Sequence, residues 1–168
     1  NTTNYSSPKQ VGGLTNWSSV SCGSSHTVSI KTDGTLWSWG WNLAGQLGQG
    51  NTTNYSSPKQ VGGLTNWSSV SCGEYHTVSI KTDGTLWSWG RSNYGQLGHG
   101  NTTNYSSPKQ VGALATWLSV SCGQYHTISI KTNGTLWSWG DNTYGQLGHG
   151  NTTNYSSPKQ VGALTLSL

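Results

Sequence analysis

Apolar and polar residues alternate with a period of two in short bursts along the chain. Trp17–Cys22 reads WSSVSC and puts Val20 and Cys22 on one face. His26–Lys31 reads HTVSIK, with Val28 and Ile30 on one side and Thr27 and Ser29 on the other. Leu36–Trp39 reads LWSW, and Pro8–Val11 is a short extended segment whose proline suits the start or the edge of a sheet. This alternation predicts half-buried β-strands, and no stretch carries a helical period. Asp33-Gly34 between two of the strands is a hairpin signal expected to place both turn residues at positive φ, and Asn133-Gly134 serves equally well.

The whole pattern recurs every fifty residues. Residues 1–50, 51–100 and 101–150 align without a gap, and 151–168 begin a fourth copy. The first and second copies differ at seven positions, and the second and third at ten. Four short strands per copy form a sheet too small to stand alone, so its apolar faces must be covered by the next copy. The expected fold is all-β: propeller blades of four antiparallel strands, three blades plus one extra strand per chain. A stacked β-solenoid is the weaker alternative. The units are blade repeats 1–50, 51–100 and 101–150 and a partial closing repeat 151–168. Three blades cannot close a ring, so completion by another chain or by further repeats is expected, with 1–18 and 151–168 as exchangeable closing strands.

Composition changes this picture little. Charged residues make up only 7% of the 168, with no Phe or Met but ten Trp and 24 Gly. The large aromatics supply the apolar area that the aliphatics lack, which separates this chain from a disordered one. Trp37, Trp39 and their copies are expected mainly in the core between blades. Net charge is +4, and Lys9, Lys31, Lys59, Lys81, Lys109, Lys131 and Lys159 are spread by the repeat with a single Arg, Arg91. A nucleic-acid footprint would cluster its cations, so nucleic acid is not an expected partner. No apolar run reaches membrane-helix length, so no membrane partner is expected either.

Candidate chemistry is sparse. Cys22, Cys72 and Cys122 lie fifty residues apart, which suits small buried thiols better than disulfides. His26, His76 and His126 follow them by four residues, but a pair repeated in every copy reads as packing and hydrogen bonding, and no metal is expected. The acids Asp33, Glu74, Asp83 and Asp141 form no recurring pair, and the third copy has Asn133 at the turn position. No nucleophile elbow occurs, and G-Q-L-G-x-G lacks the Lys-Ser/Thr of a phosphate loop. Neither enzyme activity nor a cofactor is expected.

Each copy reads V-S-C-G-x-x-H-T-[VI]-S-I-K-T-[DN]-G-T-L-W-S-W-G-x-x-x-x-G-Q-L-G-x-G, followed by S-S-P-K-Q-V. This closely resembles the regulator of chromosome condensation repeat family, over the whole chain. The resemblance implies a propeller, typically of seven blades. Its members include a small-GTPase exchange factor, a plant ultraviolet photoreceptor, β-lactamase inhibitors and many bacterial and phage repeat proteins. The photoreceptor's G-W-R-H-T motif is not matched, because the two turn positions read Ser24-Ser25, Glu74-Tyr75 and Gln124-Tyr125. An exchange factor-like regulator is a distant alternative, since the even spacing leaves no room for insertions. Near-identical copies and scarce charge look most like a bacterial surface or phage repeat.

The copies differ mainly in two loops, which are the candidate recognition surface. The first holds Ser24, Ser25, Glu74, Tyr75, Gln124 and Tyr125. The second holds Trp41, Asn42, Leu43, Ala44, Arg91, Ser92, Asn93, Tyr94, Asp141, Asn142, Thr143 and Tyr144. Positions that change so freely are expected outside the core, and their Tyr, Trp, Arg and Asn content resembles a paratope. The expected function is a non-catalytic scaffold that recognises a protein or glycan through these loops. The alternative is a structural repeat that self-assembles, two chains giving six blades.

Overall fold

The computed structural model describes residues 3–162, and among them there is no helix. Twelve strands form three antiparallel sheets of four. The first sheet holds β1 (Trp17–Cys22), β2 (His26–Lys31), β3 (Leu36–Gly40) and β4 (Tyr55–Gln60) in sequence order. The second repeats it with β5 (Trp67–Cys72), β6 (His76–Lys81), β7 (Leu86–Gly90) and β8 (Tyr105–Gln110). The third holds β9 (Trp117–Cys122), β10 (His126–Lys131), β11 (Leu136–Gly140) and β12 (Tyr155–Gln160). The corners after β1, β5 and β9 line one cavity of 400 Å³, so the first strand of each sheet lies innermost and the fourth outermost. These sheets are propeller blades in an open array.

The strand that starts each copy closes the blade begun by the copy before it. Val61 N donates to Leu36 O at 2.8 Å, and Val111 and Val161 repeat the bond to Leu86 and Leu136. The leading copy of that segment, residues 5–10, carries no strand, although Lys9 still stacks over Tyr5 at 4.6 Å. Part of the segment proposed as exchangeable, residues 1–2 and 163–168, lies outside the described residues.

Lys31–Thr35 is a tight turn, as expected, but with one correction. Only Gly34 has positive φ (76°), while Asp33 stays right-handed or extended. Asp33 Oδ1 instead accepts from Thr35 N at 3.0 Å and Thr35 Oγ1 at 2.6 Å, an Asx turn that Asn133 reproduces with Thr135. One left-handed residue is enough when a side chain caps the turn.

The core lies between blades rather than within one. The first cluster joins Val28, Ile30, Leu36 and Val61 of blade one to Trp67, Cys72 and Trp89 of blade two. The second joins Val78, Ile80, Leu86 and Val111 to Trp117 and Trp139. Trp89 and Trp139 are fully enclosed, each removing a large apolar area from water that no single sheet could cover. Trp67 sits edge-on to both Trp87 and Trp89, with centroids 6.1 and 5.9 Å away.

Candidate functional site

A latch between blades positions the variable loops. The G-Q-L-G loop of one blade reaches into the next. Gln46 O accepts from Thr77 Oγ1 and from Trp89 Nε1, both at 2.9 Å, and Gln96 O repeats this with Thr127 and Trp139. Gly48 (φ 70°) lies against the Trp89 indole, where a Cβ would stand 2.8 Å from Nε1. Because the Thr77 hydroxyl donates to Gln46 O, it accepts from His26 Nε2 at 3.1 Å; His76 does the same to Thr127 at 3.3 Å. That fixes the Nε2–H tautomer and leaves Nδ1 of both rings buried without a partner among the described residues. Burial pushes His26 down to about 4, and burial with the neighbouring His26 and His126 pushes His76 down to about 3. The glycine of C-G-x-x-H makes room for this ring, since a Cβ on Gly73 would overlap the His76 imidazole.

Above the latch, the two variable loops meet across each blade junction. Trp41 of blade one packs on Tyr75 of blade two at 5.0 Å, and Tyr94 of blade two packs on Tyr125 of blade three at 5.3 Å. Arg91 lies over the Tyr75 ring at 5.6 Å. Glu74 accepts from Gln124 Nε2 across the junction. Burial raises the Glu74 carboxyl, but hydrogen bonds from Tyr125, Tyr75 and Gln124 and the Arg91 charge together hold it below the usual value. The hydrogen bond to Glu74 in turn raises the Tyr75 and Tyr125 phenols. A cleft of 490 Å³ opens beside this cluster, lined by Tyr94, Gln124, Tyr125, Asp141 and Tyr144 among others. Ser24 and Ser25 are exposed, as are Leu43, Asn93, Thr143 and Tyr144, while Ala44 is half-buried.

Four of the variable-loop residues are not surface residues. Asn42, Ser92 and Asn142 are fully buried, which corrects the expectation that free variation excludes them from the core. Asn42 Nδ2 donates to Asn51 O and Thr53 O at 3.0 Å, and its Oδ1 accepts from Leu47 N at 2.9 Å. Asn142 repeats all three bonds. Asp141 is also buried, and its carboxylate caps its own turn by accepting from Thr143 N and Oγ1 and from Gln146 Nε2.

The cysteines differ among themselves. Cys72 is buried and Cys122 half-buried, and burial pushes both thiols up to about 12. Cys22 is exposed, contrary to the uniform buried thiol expected, because no described blade precedes it. Sequence reasoning also missed Lys31, Lys81 and Lys131. Each is buried, with its ammonium 3.6 to 3.8 Å from one Trp ring centroid and 4.7 to 5.0 Å from a second. Lys59, Lys109 and Lys159 donate to the tyrosine hydroxyl four residues before them.

Sheets of this kind, wedged together through a shared core and carrying variable loops above each junction, define a β-propeller built from repeats. The sequence matches the model of the regulator of chromosome condensation (RCC1) repeat over residues 33–80, 83–130 and 133–166, and a second model of the same repeat over 17–46, 67–96 and 117–146. The chain belongs to the RCC1 repeat family. Among curated proteins none matches the sequence.

Similar solved structures include Prp20p of Saccharomyces cerevisiae, whose binding properties to Gsp1p and histones were determined with its structure. It is 25% identical with a TM-score of 0.79, over 89% of this chain and 39% of that one. Yeast RCC1 (Prp20) in complex with Kap60 is 24% identical with a TM-score of 0.76, over 89% of this chain and 37% of that one. Human WBSCR16 shares the fold at 19% identity and a TM-score of 0.53, over 86% of this chain and 52% of its own. The chain thus spans well under half the length of the yeast protein it resembles.

Proposed function

We propose that the chain is a non-catalytic propeller scaffold that recognises a protein through the ridge formed by Trp41, Tyr75, Arg91, Tyr94, Tyr125 and Tyr144, with Glu74 and Gln124 between them. One observation carries this reading: residues that differ from copy to copy converge across the blade junctions into one aromatic and charged surface beside a 490 Å³ cleft. Tyr, Trp and Arg are the side chains that most often anchor interfaces, and a rigid framework beneath them lowers the ordering cost of binding. The one yeast relative, Prp20, was characterised for binding to Gsp1p and histones and forms a complex with Kap60, which supports a protein over a glycan ligand.

Capture from protein and glycan arrays, followed by alanine substitution of the six ridge residues, tests the reading. Each central anchor should weaken capture on the order of 10- to 100-fold with the melting temperature unchanged. Undiminished capture by the six-fold alanine variant would sink it, and glycan capture without protein capture would move the ligand class.

A second reading is a self-associating structural repeat of a bacterial surface or phage particle, two chains giving six blades. It is supported by the near-identity of the copies, which differ at only seven and ten positions. A small-GTPase exchange factor-like role rests on the likeness to the yeast protein alone.

A further inference from the structure

A second cavity lies between blades two and three, away from the variable loops. Trp117 opens β9, Lys131 ends β10 and Trp137 stands at the start of β11, so the cavity sits at the end of the blade opposite the Gln124-Tyr125 corner. It holds 510 Å³. Blade two walls it with Lys109 and with Val111 and Leu114, which follow β8; blade three walls it with Trp117, Trp137 and Pro158. The described chain supplies both walls. A volume of this order, with aromatic walls and few polar groups, is the form of a small-molecule site.

The cavity has a charge without a partner. Lys131 is 7% exposed, and its ammonium lies 3.6 Å from the Trp137 ring centroid and 4.7 Å from that of Trp117. Among the described residues that ammonium has no hydrogen-bond acceptor, and Trp117 Nε1 is buried without one. The other two copies give the same lysine an acid two residues on: Asp33 lies within electrostatic reach of Lys31, and Asp83 of Lys81. The third copy has Asn133, which keeps the turn and removes the charge. Of the three buried lysines, Lys131 is therefore the one on which no carboxylate acts among the described residues, and none of the described lining residues is acidic. Lys109 Nζ donates to the Tyr105 hydroxyl at 2.7 Å and keeps two further donors. Burial and the Lys109 charge push His99, also in the lining, down to about 4, so it is neutral at pH 7. The corresponding pocket of the first junction is smaller, 340 Å³, and none of its described lining residues is charged. Gln49 stands there in place of His99 and ties its amide to Ser38 Oγ and Lys59 O, both at 3.1 Å.

We propose that the pocket between blades two and three binds a carboxylated ring, its carboxylate on the Lys131 ammonium and its ring against Trp117 and Trp137. The site is separate from the aromatic ridge and does not depend on what the ridge recognises. A carboxylate supplies both the acceptor and the counter-charge that Lys131 lacks, and a charge-assisted hydrogen bond away from bulk water is stronger than a neutral one. A ring uses the aromatic, proline and leucine walls, which a bare inorganic anion would leave wet. Two kinds of molecule carry this chemistry, a uronic acid sugar and an aromatic acid, and an indole packs against either.

Calorimetric titration of the full chain with glucuronate and with phenylacetate, against neutral glucose and phenylacetamide, tests the site. At least one acid is expected to bind once per chain, on the order of 10-fold or more tighter than its neutral counterpart. Binding of glucuronate alone identifies a glycan source, and binding of phenylacetate alone an aromatic acid. Asn133→Asp returns an anion beside Lys131 in a turn that Asp33 and Asp83 already form, so it should melt as wild type and weaken the acid on the order of 10-fold. Lys131→Met should abolish the preference for the acid over the neutral molecule. Lys81→Met, which breaks the same stacking one blade earlier, should leave that preference intact. Failure of both acids to bind, equal affinity for acid and neutral counterpart, or binding that survives Asn133→Asp and Lys131→Met overturns the proposal. Loss of binding in Lys81→Met overturns it too, because it moves the ligand to the other junction. Should Lys131→Met fail to fold, Asn133→Asp still decides.

Discussion

Asn42 and Asn142 each close three hydrogen bonds inside the loop that follows W-S-W-G, and Ser92 closes none of them. The Ser92 hydroxyl is buried without a partner among the described residues, and Leu97 N lacks the side-chain acceptor that Leu47 and Leu147 have. The second blade is therefore the weakest of the three at this point. Ser92→Asn is expected to stabilise the chain by about 1 to 2 kcal/mol, because it restores one acceptor and two donors at buried backbone groups. Asn42→Ser should destabilise by a similar amount. Urea midpoints of the two variants check this, and a Ser92→Asn midpoint at or below wild type would contradict it.

The latch histidines set a pH dependence at the same scale. The unfolded chain protonates histidine near pH 6.5, whereas folded His26 and His76 refuse the proton until about 4 and about 3. Above pH 6.5 both states are neutral and the groups contribute no slope. Below it the unfolded state binds more protons, so stability falls with falling pH until the folded values are reached. The loss is about 1.4 kcal/mol per histidine for each pH unit at the steepest. Urea midpoints between pH 7.5 and 4.5 should be flat above about 6.5 and decline below it, ahead of most carboxylate titration. A flat profile throughout would show that these rings are not held neutral in the fold.

At the scale of elements, the strands were legible because period-two alternation survives in each copy: Val78 and Ile80 do face one core and Trp89 another. The turns were legible because Asp33-Gly34 and G-x-x-H have local causes. Two things were not. The phase of the blade is invisible in a tandem repeat, since any fifty-residue window looks equally valid. Only pairing of β3 with β4 assigns Tyr55–Gln60 to the earlier blade. The role of G-Q-L-G was also hidden, because Gln46 acts through its backbone carbonyl on Trp89, forty-three residues away in the next sheet. The candidate site was half legible. Variation located Tyr75, Arg91, Tyr94 and Tyr125, but it could not separate a loop surface from a buried loop pin such as Asn42. Both vary, one in solvent and the other by trading Asn for the smaller Ser. The signal that could have separated them is that positions 42 and 142 agree while their neighbours 41 and 141 do not.

For the whole molecule, each blade is finished by the segment that opens the next copy. Residues 5–10 and 155–160 have the same sequence, YSSPKQ, and each is followed by Val-Gly. At the internal junctions the segment before an inner strand is the outer strand of the preceding blade, as β4 is before β5. One sequence thus has two fates: residues 155–160 are β12, with Val161 N donating to Leu136 O at 2.8 Å, whereas residues 5–10 carry no strand. The sheet edge beside it, and not the segment itself, makes YSSPKQ a strand. Proline separates the two fates, since it removes the donated N–H. Val161→Pro should lower the stability of the chain by on the order of 1 to 3 kcal/mol, while Val11→Pro, at an exposed position outside any strand, should leave it unchanged. Urea midpoints of the two proline variants check this, and an equal loss in both would show that residues 5–10 also hold a place in a sheet.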